Sequence, residues 1–356
     1  MKQIIENAFI EKLSGIARIH KDGGVIIKGD NVSVSFPTNS PSVALIRGYL
    51  NGKENWRKEY NNGQVKFIRW WEDGSMLAGG REYSGLSASA CYTRGEISCL
   101  SCHSMHDSNP VDQLNDIGHS RQACVQCHNE PAYTTDIRSH THHAPDSSGS
   151  ECMNCHMPHT SYALFSAIRN HTIKSPDISA SAKLGVPNAC NLCHLDKTLE
   201  WTSRAMTRNW GTPPVDLTAE QKEVSAALLW ILKGHAAQRV IAAWHVGWEP
   251  ARQASGSDWL APFQARLLAD PYGVVRYVAA DNLRTLGGFE SFQFDFIAPE
   301  EELRAAAEKA VRHWNEQAAS TRTGDEILVN PDGSIMEQRV QELLGERDNR
   351  PVNIKE

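Results

Sequence analysis

Four short stretches of the chain share one pattern: two cysteines three residues apart, with a histidine directly after the second. They are CLSCH at 99–103, CVQCH at 124–128, CMNCH at 152–156 and CNLCH at 190–194, and they use eight of the nine cysteines. Such a thiol pair can hold zinc, cycle as a redox dithiol, or form thioethers to the vinyl groups of a haem whose iron the histidine binds. The fixed histidine decides among these. Zinc ribbons set no rule for the residue after the second cysteine, and only 15 of the 356 residues are histidine. A disulfide framework fits badly, because residues at i and i+3 pair poorly. The pattern predicts four covalently attached haem c groups. Their tethers are Cys99, Cys102, Cys124, Cys127, Cys152, Cys155, Cys190 and Cys193, and their proximal ligands are His103, His128, His156 and His194.

An iron held by one imidazole has a second axial position. Closing it with His or Met makes a low-spin electron-transfer site, and leaving it open invites ligand binding or catalysis. Seven further histidines fall in the same region: His106, His119, His140, His142, His143, His159 and His171. Outside it only His20, His235, His245 and His313 occur, so the supply is concentrated where it is needed. Three or four of the seven are expected as distal ligands. His106 and His159 follow a proximal histidine by three residues (CHSMH, CHMPH), which aims each at a neighbouring haem rather than its own. In the run His140-Thr141-His142-His143 one member is expected to ligate and the others to hydrogen-bond. His119 and His171 stand alone in loop-like contexts, with His20, Met105, Met153 and Met157 as weaker candidates. Cys91, the ninth cysteine, has Arg94 three residues on and starts no fifth motif; it reads as a buried small apolar residue.

The elements that position these groups are mainly helical, around an irregular haem-packed core. Residues 1–90 contain two hairpin patterns, GGVIIKGDNVSVSFP (23–37) and VKFIRWWEDGSMLAGG (65–80), each with a Gly/Asp turn signal. Residues 91–210 form the tetrahaem domain. Four motifs between 99 and 194 leave about 24 residues per haem, so porphyrin replaces apolar side chains as the core and helical periodicity is weak. Gly211 and Pro213-Pro214 then break the chain. From 218 to 320 the pattern changes to amphipathic helices. Arg239-Val-Ile-Ala242-Ala243 aligns with Arg276-Tyr-Val-Ala279-Ala280 at an offset of 37 residues, which resembles a HEAT-type repeat. Pro299 and three glutamates open one more helix. Residues 321–356 form a tail with a Pro331-Asp332-Gly333 turn, a short helix at 336–344 and charges on a solvated face.

The net charge of −6 argues against nucleic acid and favours a redox partner with a basic docking patch, the more so once haem propionates are added. No apolar stretch approaches the length of a membrane span. The first twenty residues lack the apolar run of a signal peptide, yet thioether attachment takes place outside the cytoplasm; an exported, periplasmic or extracellular protein is expected.

The runs REYSGLSASACYTRGEISCLSCHSMH (81–106), HTHHAPDSSGSECMNCHMPHTSY (140–162) and LGVPNACNLCHLDKTLEWT (184–202) resemble the large multihaem c-type cytochromes that carry HEAT or tetratricopeptide repeats after the haem region. The resemblance implies an exported redox protein with covalent haems and a helical repeat tail. Members usually carry further haem motifs ahead of the matched region. Two functions follow from the residues. One is electron transfer along a chain of bis-His haems to or from another cytochrome, with homo-oligomer or haem-wire assembly as an option. The other is a multihaem oxidoreductase acting on a small nitrogen or sulfur compound at one open haem. The CxxCK motif that marks the catalytic haem of cytochrome c nitrite reductases is missing from all four sites, which favours the first.

Overall fold

A computed structural model describes the strands at 17–19, 25–28 and 33–36, and residues 71–349 apart from 72, 79–81, 105, 107, 111, 163, 164, 318 and 319. The chain divides into two compact units, 1–69 with 350–356, and 70–349.

In the smaller unit, β1 (Ala17–Ile19), β2 (Val25–Lys28) and β3 (Ser33–Phe36) form an antiparallel sheet in that order. β2 pairs antiparallel with β3 from Val25↔Phe36 to Lys28↔Ser33, as the first hairpin pattern predicts; the Gly29-Asp30-Asn31 signal lies outside the described residues. Of the second expected hairpin, residues 65–70 lie outside the described residues. The part described makes a turn in which the Asp73 carboxylate accepts from the Ser75 N–H and hydroxyl. Met76, Leu77 and Ala78 then run buried, and Ala78 bridges Ser161 in parallel.

The larger unit opens with short helices, as expected of a chain punctuated by Gly, Pro, Ser and Asn. They are α1 (Glu82–Ala88), α2 (Ala90–Arg94), α3 (Gln122–Val125), α4 (Ile137–Thr141) and α5 (Cys152–His156). A hairpin follows, β4 (His159–Tyr162) on β5 (Ser166–Arg169), with His159 opposite Arg169. Next come α6 (Ile178–Leu184), α7 (Ala189–Cys193) and α8 (Leu199–Trp210). α8 starts where the Thr198 hydroxyl accepts from the Trp201 N–H and stops at Gly211 in the left-handed region, φ 67°.

Beyond the 211–218 connection lie α9 (Ala219–Glu223), α10 (Ala226–Leu232), α11 (Ala236–Gly247), α12 (Glu249–Ser255), α13 (Ala261–Arg266), α14 (Gly273–Leu283), α15 (Glu300–Glu316) and α16 (Glu337–Gly345). α11 and α14 begin 37 residues apart, the offset read from the sequence, and pack on each other. Their buried alanines, Ala242, Ala243, Ala279 and Ala280, permit the close approach. It is close enough that a Cβ on Gly247 would lie 1.9 Å from Asn282 Oδ1. The aligned arginines do different work. Arg239 is fully buried with Nε 2.7 Å from the Asp270 carboxylate, whereas Arg276 donates to the Asp270, Pro271 and Phe296 carbonyls.

Two boundaries differ from expectation. The 211–218 connection does not separate compact units: α7 packs on α8, α10, α11 and α12, and β4 packs on α11. The reason is the distribution of apolar residues. Between 91 and 157 the buried apolar side chains are Ala123 and Ile137 among the described residues, while 178–343 holds a continuous core. The first stretch has no core of its own, and its neighbour leans on the helices. The tail is also not a solvated appendage. Val340 and Leu343 are fully buried, and Arg347 donates to the Leu232 and Ile231 carbonyls and reaches Asp270.

Candidate functional site

Each motif is one helical turn. The N–H of the motif histidine donates to the carbonyl of the first cysteine at 2.9 Å in 99–103, 3.0 Å in 124–128 and 2.7 Å in 190–194, and 152–156 is α5 itself. A turn of this kind puts residues i, i+3 and i+4 on one face, so both sulfurs and the imidazole converge. None of the nine cysteines is in a disulfide. Burial pushes the Cys155 and Cys193 thiols up to about 11 and Cys190 up to about 12, so these sulfurs are uncharged and pack as apolar atoms. Cys124 is raised first by a hydrogen bond with Cys152, which joins the first tethers of the second and third motifs. Cys91 is half-buried rather than buried.

The structure brings three motif histidines opposite three of the others. His103 faces His171 with ring centres 6.3 Å apart and planes 19° from parallel. His156 faces His140 at 6.1 Å and 6°, and His194 faces His143 at 6.2 Å and 26°. The run at 140–143 therefore contributes two facing imidazoles rather than one, and its third member, His142, donates to the Asn209 carbonyl and packs on Trp210. His171 Nδ1 donates to the Arg169 carbonyl at 2.8 Å and His143 Nδ1 to the Thr141 carbonyl at 2.6 Å. A carbonyl only accepts, so both rings carry a proton on Nδ1 and Nε2 is the nitrogen left for a metal. Burial holds His140, His156, His171 and His194 below the usual imidazole range, and a neutral ring is what metal ligation requires.

The other candidates are placed differently. His128 is exposed, and its ring meets the edge of Tyr133 at 5.8 Å; Tyr133 in turn meets His140 at 4.9 Å. His106 is exposed, and His119 is exposed with Nδ1 3.8 Å from Asp112. His159 packs among Trp244, His245 and Trp248, where burial lowers its pKa strongly and leaves Nδ1 without a partner. His20 and Met105 lie outside the described residues. Met153 and Met157 are half-buried on either side of the third motif's second cysteine. Among the described residues no group of three or more His, Cys, Asp and Glu converges as a bare metal site.

Several supporting residues had no signal in the sequence. Gly149 lies against the His143 ring, so a Cβ there would fall 2.2 Å from His143 Cδ2. Arg169 donates to the Met153 and Met157 carbonyls and to Asn154 Oδ1, bracing the turn of the third motif, while Trp248 covers its guanidinium at 6.0 Å. Ser255 on α12 accepts from the Leu195 N–H and donates to the Cys193 carbonyl, bracing the fourth. Each acts through a fold-dependent contact that no local spacing announces.

A family model described as the doubled CXXCH motif matches residues 92–133, which span the first two motifs. No curated protein and no solved structure matches the chain. The motifs indicate covalently bound haem c, and the family match supports a multihaem c-type cytochrome. Among the described residues no helix is long and apolar enough to cross a membrane.

Proposed function

We propose that the chain is a tetrahaem c-type cytochrome that passes electrons between its haems and a redox partner protein. The observation that carries this reading is the recurrence of facing imidazoles. Three times, a motif histidine is met by a non-motif histidine from elsewhere in the chain, at 6.1, 6.2 and 6.3 Å. An imidazole nitrogen binds a transition metal at about 2 Å, so a metal gripped between two opposed rings sets their centres roughly 6 Å apart. The residues fit the group.

In this reading Cys99 and Cys102, Cys124 and Cys127, Cys152 and Cys155, and Cys190 and Cys193 each tether one haem. His103, His128, His156 and His194 are the proximal ligands. His171, His140 and His143 are the distal ligands opposite His103, His156 and His194. The sixth ligand opposite His128 comes from His106 or His119, both exposed. When bound, each haem supplies one reversible one-electron centre. Burial holds His140, His156, His171 and His194 toward the neutral form that ligation needs, and the paired imidazoles close their irons against exogenous ligands. A stretch of some sixty residues with two buried apolar side chains cannot offset its ordering entropy alone, which also supports a prosthetic core between 91 and 157.

The paired helices α10–α11 and α13–α14 form a HEAT-like module that covers the third and fourth motifs. The protein is exported to the periplasm or beyond, where haem c is attached. Its acidic charge suits a partner cytochrome with a basic docking patch. The test is a haem count on purified protein. Four covalent haems per chain with low-spin spectra and reversible reduction are expected. Zinc without haem absorption overturns the reading, and a majority of high-spin iron favours the oxidoreductase alternative.

A further inference from the structure

We infer that Arg169 is the docking site for a haem propionate, and that this pairing sets the potential of the haem that supplies it. The inference rests on the reading that the motifs carry haem c and adds a site to it. Arg169 lies on β5, two residues before His171, with its guanidinium turned onto the third motif. Of its five N–H donors, Nη1 serves the Met153 and Met157 carbonyls and Nη2 serves Asn154 Oδ1 at 2.7 Å. Nε has no hydrogen-bond partner among the described residues, and with Nη2 it forms the guanidinium edge that a carboxylate can meet side-on.

The described residues offer no such carboxylate. Among the described residues no Asp or Glu forms an ion pair with Arg169, and the neighbouring Glu151 pairs instead with Arg121 at 3.9 Å. The other groups that face it are Cys155, a thioether in this reading, and the imidazoles of His159 and His245, none of which is an anion. Indole covers one side of the guanidinium and backbone carbonyls another. An always-charged group drawn inward without an anion is costly, and pairing removes that cost. The anions that a multihaem core brings to this region are propionates.

The test uses the holoprotein. Arg169→Gln removes the cation, so the propionate loses its counter-charge and its pKa rises. The midpoint potential of one haem then falls at alkaline pH and becomes pH-dependent in the neutral range. Arg169→Lys, which keeps the charge, stays close to wild type. If Arg169 only braces the third motif, both variants lose thermal stability together while the potentials keep their wild-type pH dependence; that result overturns the inference. Should neither variant fold, a holoprotein structure decides: no haem carboxylate within ion-pair distance of Arg169 is equally fatal. A purified chain without haem refutes the haem reading itself, which the haem count reports separately.

Discussion

On the proposed assignment of His143 as a distal ligand, Gly149 offers a way to disturb one iron without replacing any ligand. It sits in the 3-10 turn Ser148–Ser150, at a backbone conformation open to any residue, so Gly149→Ala adds no backbone strain. The added Cβ falls 2.2 Å from His143 Cδ2 and 2.4 Å from Cγ. Carbon atoms pack at about 3.5–4.0 Å, so the imidazole must retreat by more than about 1 Å. A histidine ring moves by side-chain rotation, so the backbone need not yield. The displacement therefore falls on the 6.2 Å arrangement with His194, where an axial bond of about 2 Å cannot follow it. The covalent haem count should stay at the wild-type value. One haem should turn from low-spin to high-spin in the ferric protein, and carbon monoxide bound by the ferrous protein should rise by one per chain. His143→Ala serves as the positive control and should give the same gain. If Gly149→Ala binds no more carbon monoxide than wild type while His143→Ala does, the steric reasoning is wrong.

His140→Ala and His171→Ala should each open one further haem, seen as one more carbon monoxide per chain; an unchanged count in either removes that pairing. Of His106→Ala and His119→Ala, one alone should open the haem of the second motif, and titration of the two variants identifies which. Asp270→Asn leaves the buried Arg239 guanidinium without its anion, a loss of about 3–5 kcal/mol and on the order of 10 °C in Tm by calorimetry. A Tm within a degree or two of wild type would falsify that account. At Asp73, burial pushes the carboxyl up, but the Lys174 ammonium and the Ser75 hydroxyl and N–H outweigh it and hold the pKa below the usual value. The stability this gives is complete above the unfolded carboxylate pKa and is lost as pH falls through the lowered one. Lys174→Ala should therefore reduce stability at neutral pH and shrink the difference in acid; a parallel offset at every pH rejects the linkage.

Much of the helical architecture could be read from local pattern. The 37-residue offset between Arg239 and Arg276 reappears as the spacing of α11 and α14, and Pro299 with three glutamates opens α15. β2 pairs antiparallel with β3 on either side of the Gly29-Asp30-Asn31 signal, which itself lies outside the described residues. What misled was sidedness. The tail at 321–356 reads as charged and solvated, yet Arg347 is drawn into the Asp270 site because its carbonyl partners at 231 and 232 lie more than a hundred residues away. The linker at 211–218 reads as a domain boundary, and Pro and Gly do end α8 there, but contacts across it keep the two sides in one unit.

The four CxxCH motifs are decided by the sequence alone, because their chemistry is local. Cysteines at i and i+3 and a histidine at i+4 meet on one helical turn whatever the rest of the chain does. The second imidazole is a different matter. Composition says that seven spare histidines crowd the region, but it treats His159 and His171 alike. Folding separates them. β4 turns His159 into a box of indoles, while the Arg169 carbonyl fixes His171 across from His103. The facing imidazole pairs join residues that are 16 to 68 positions apart, and distance along the chain carries no information about which rings will face each other. Only packing supplies it.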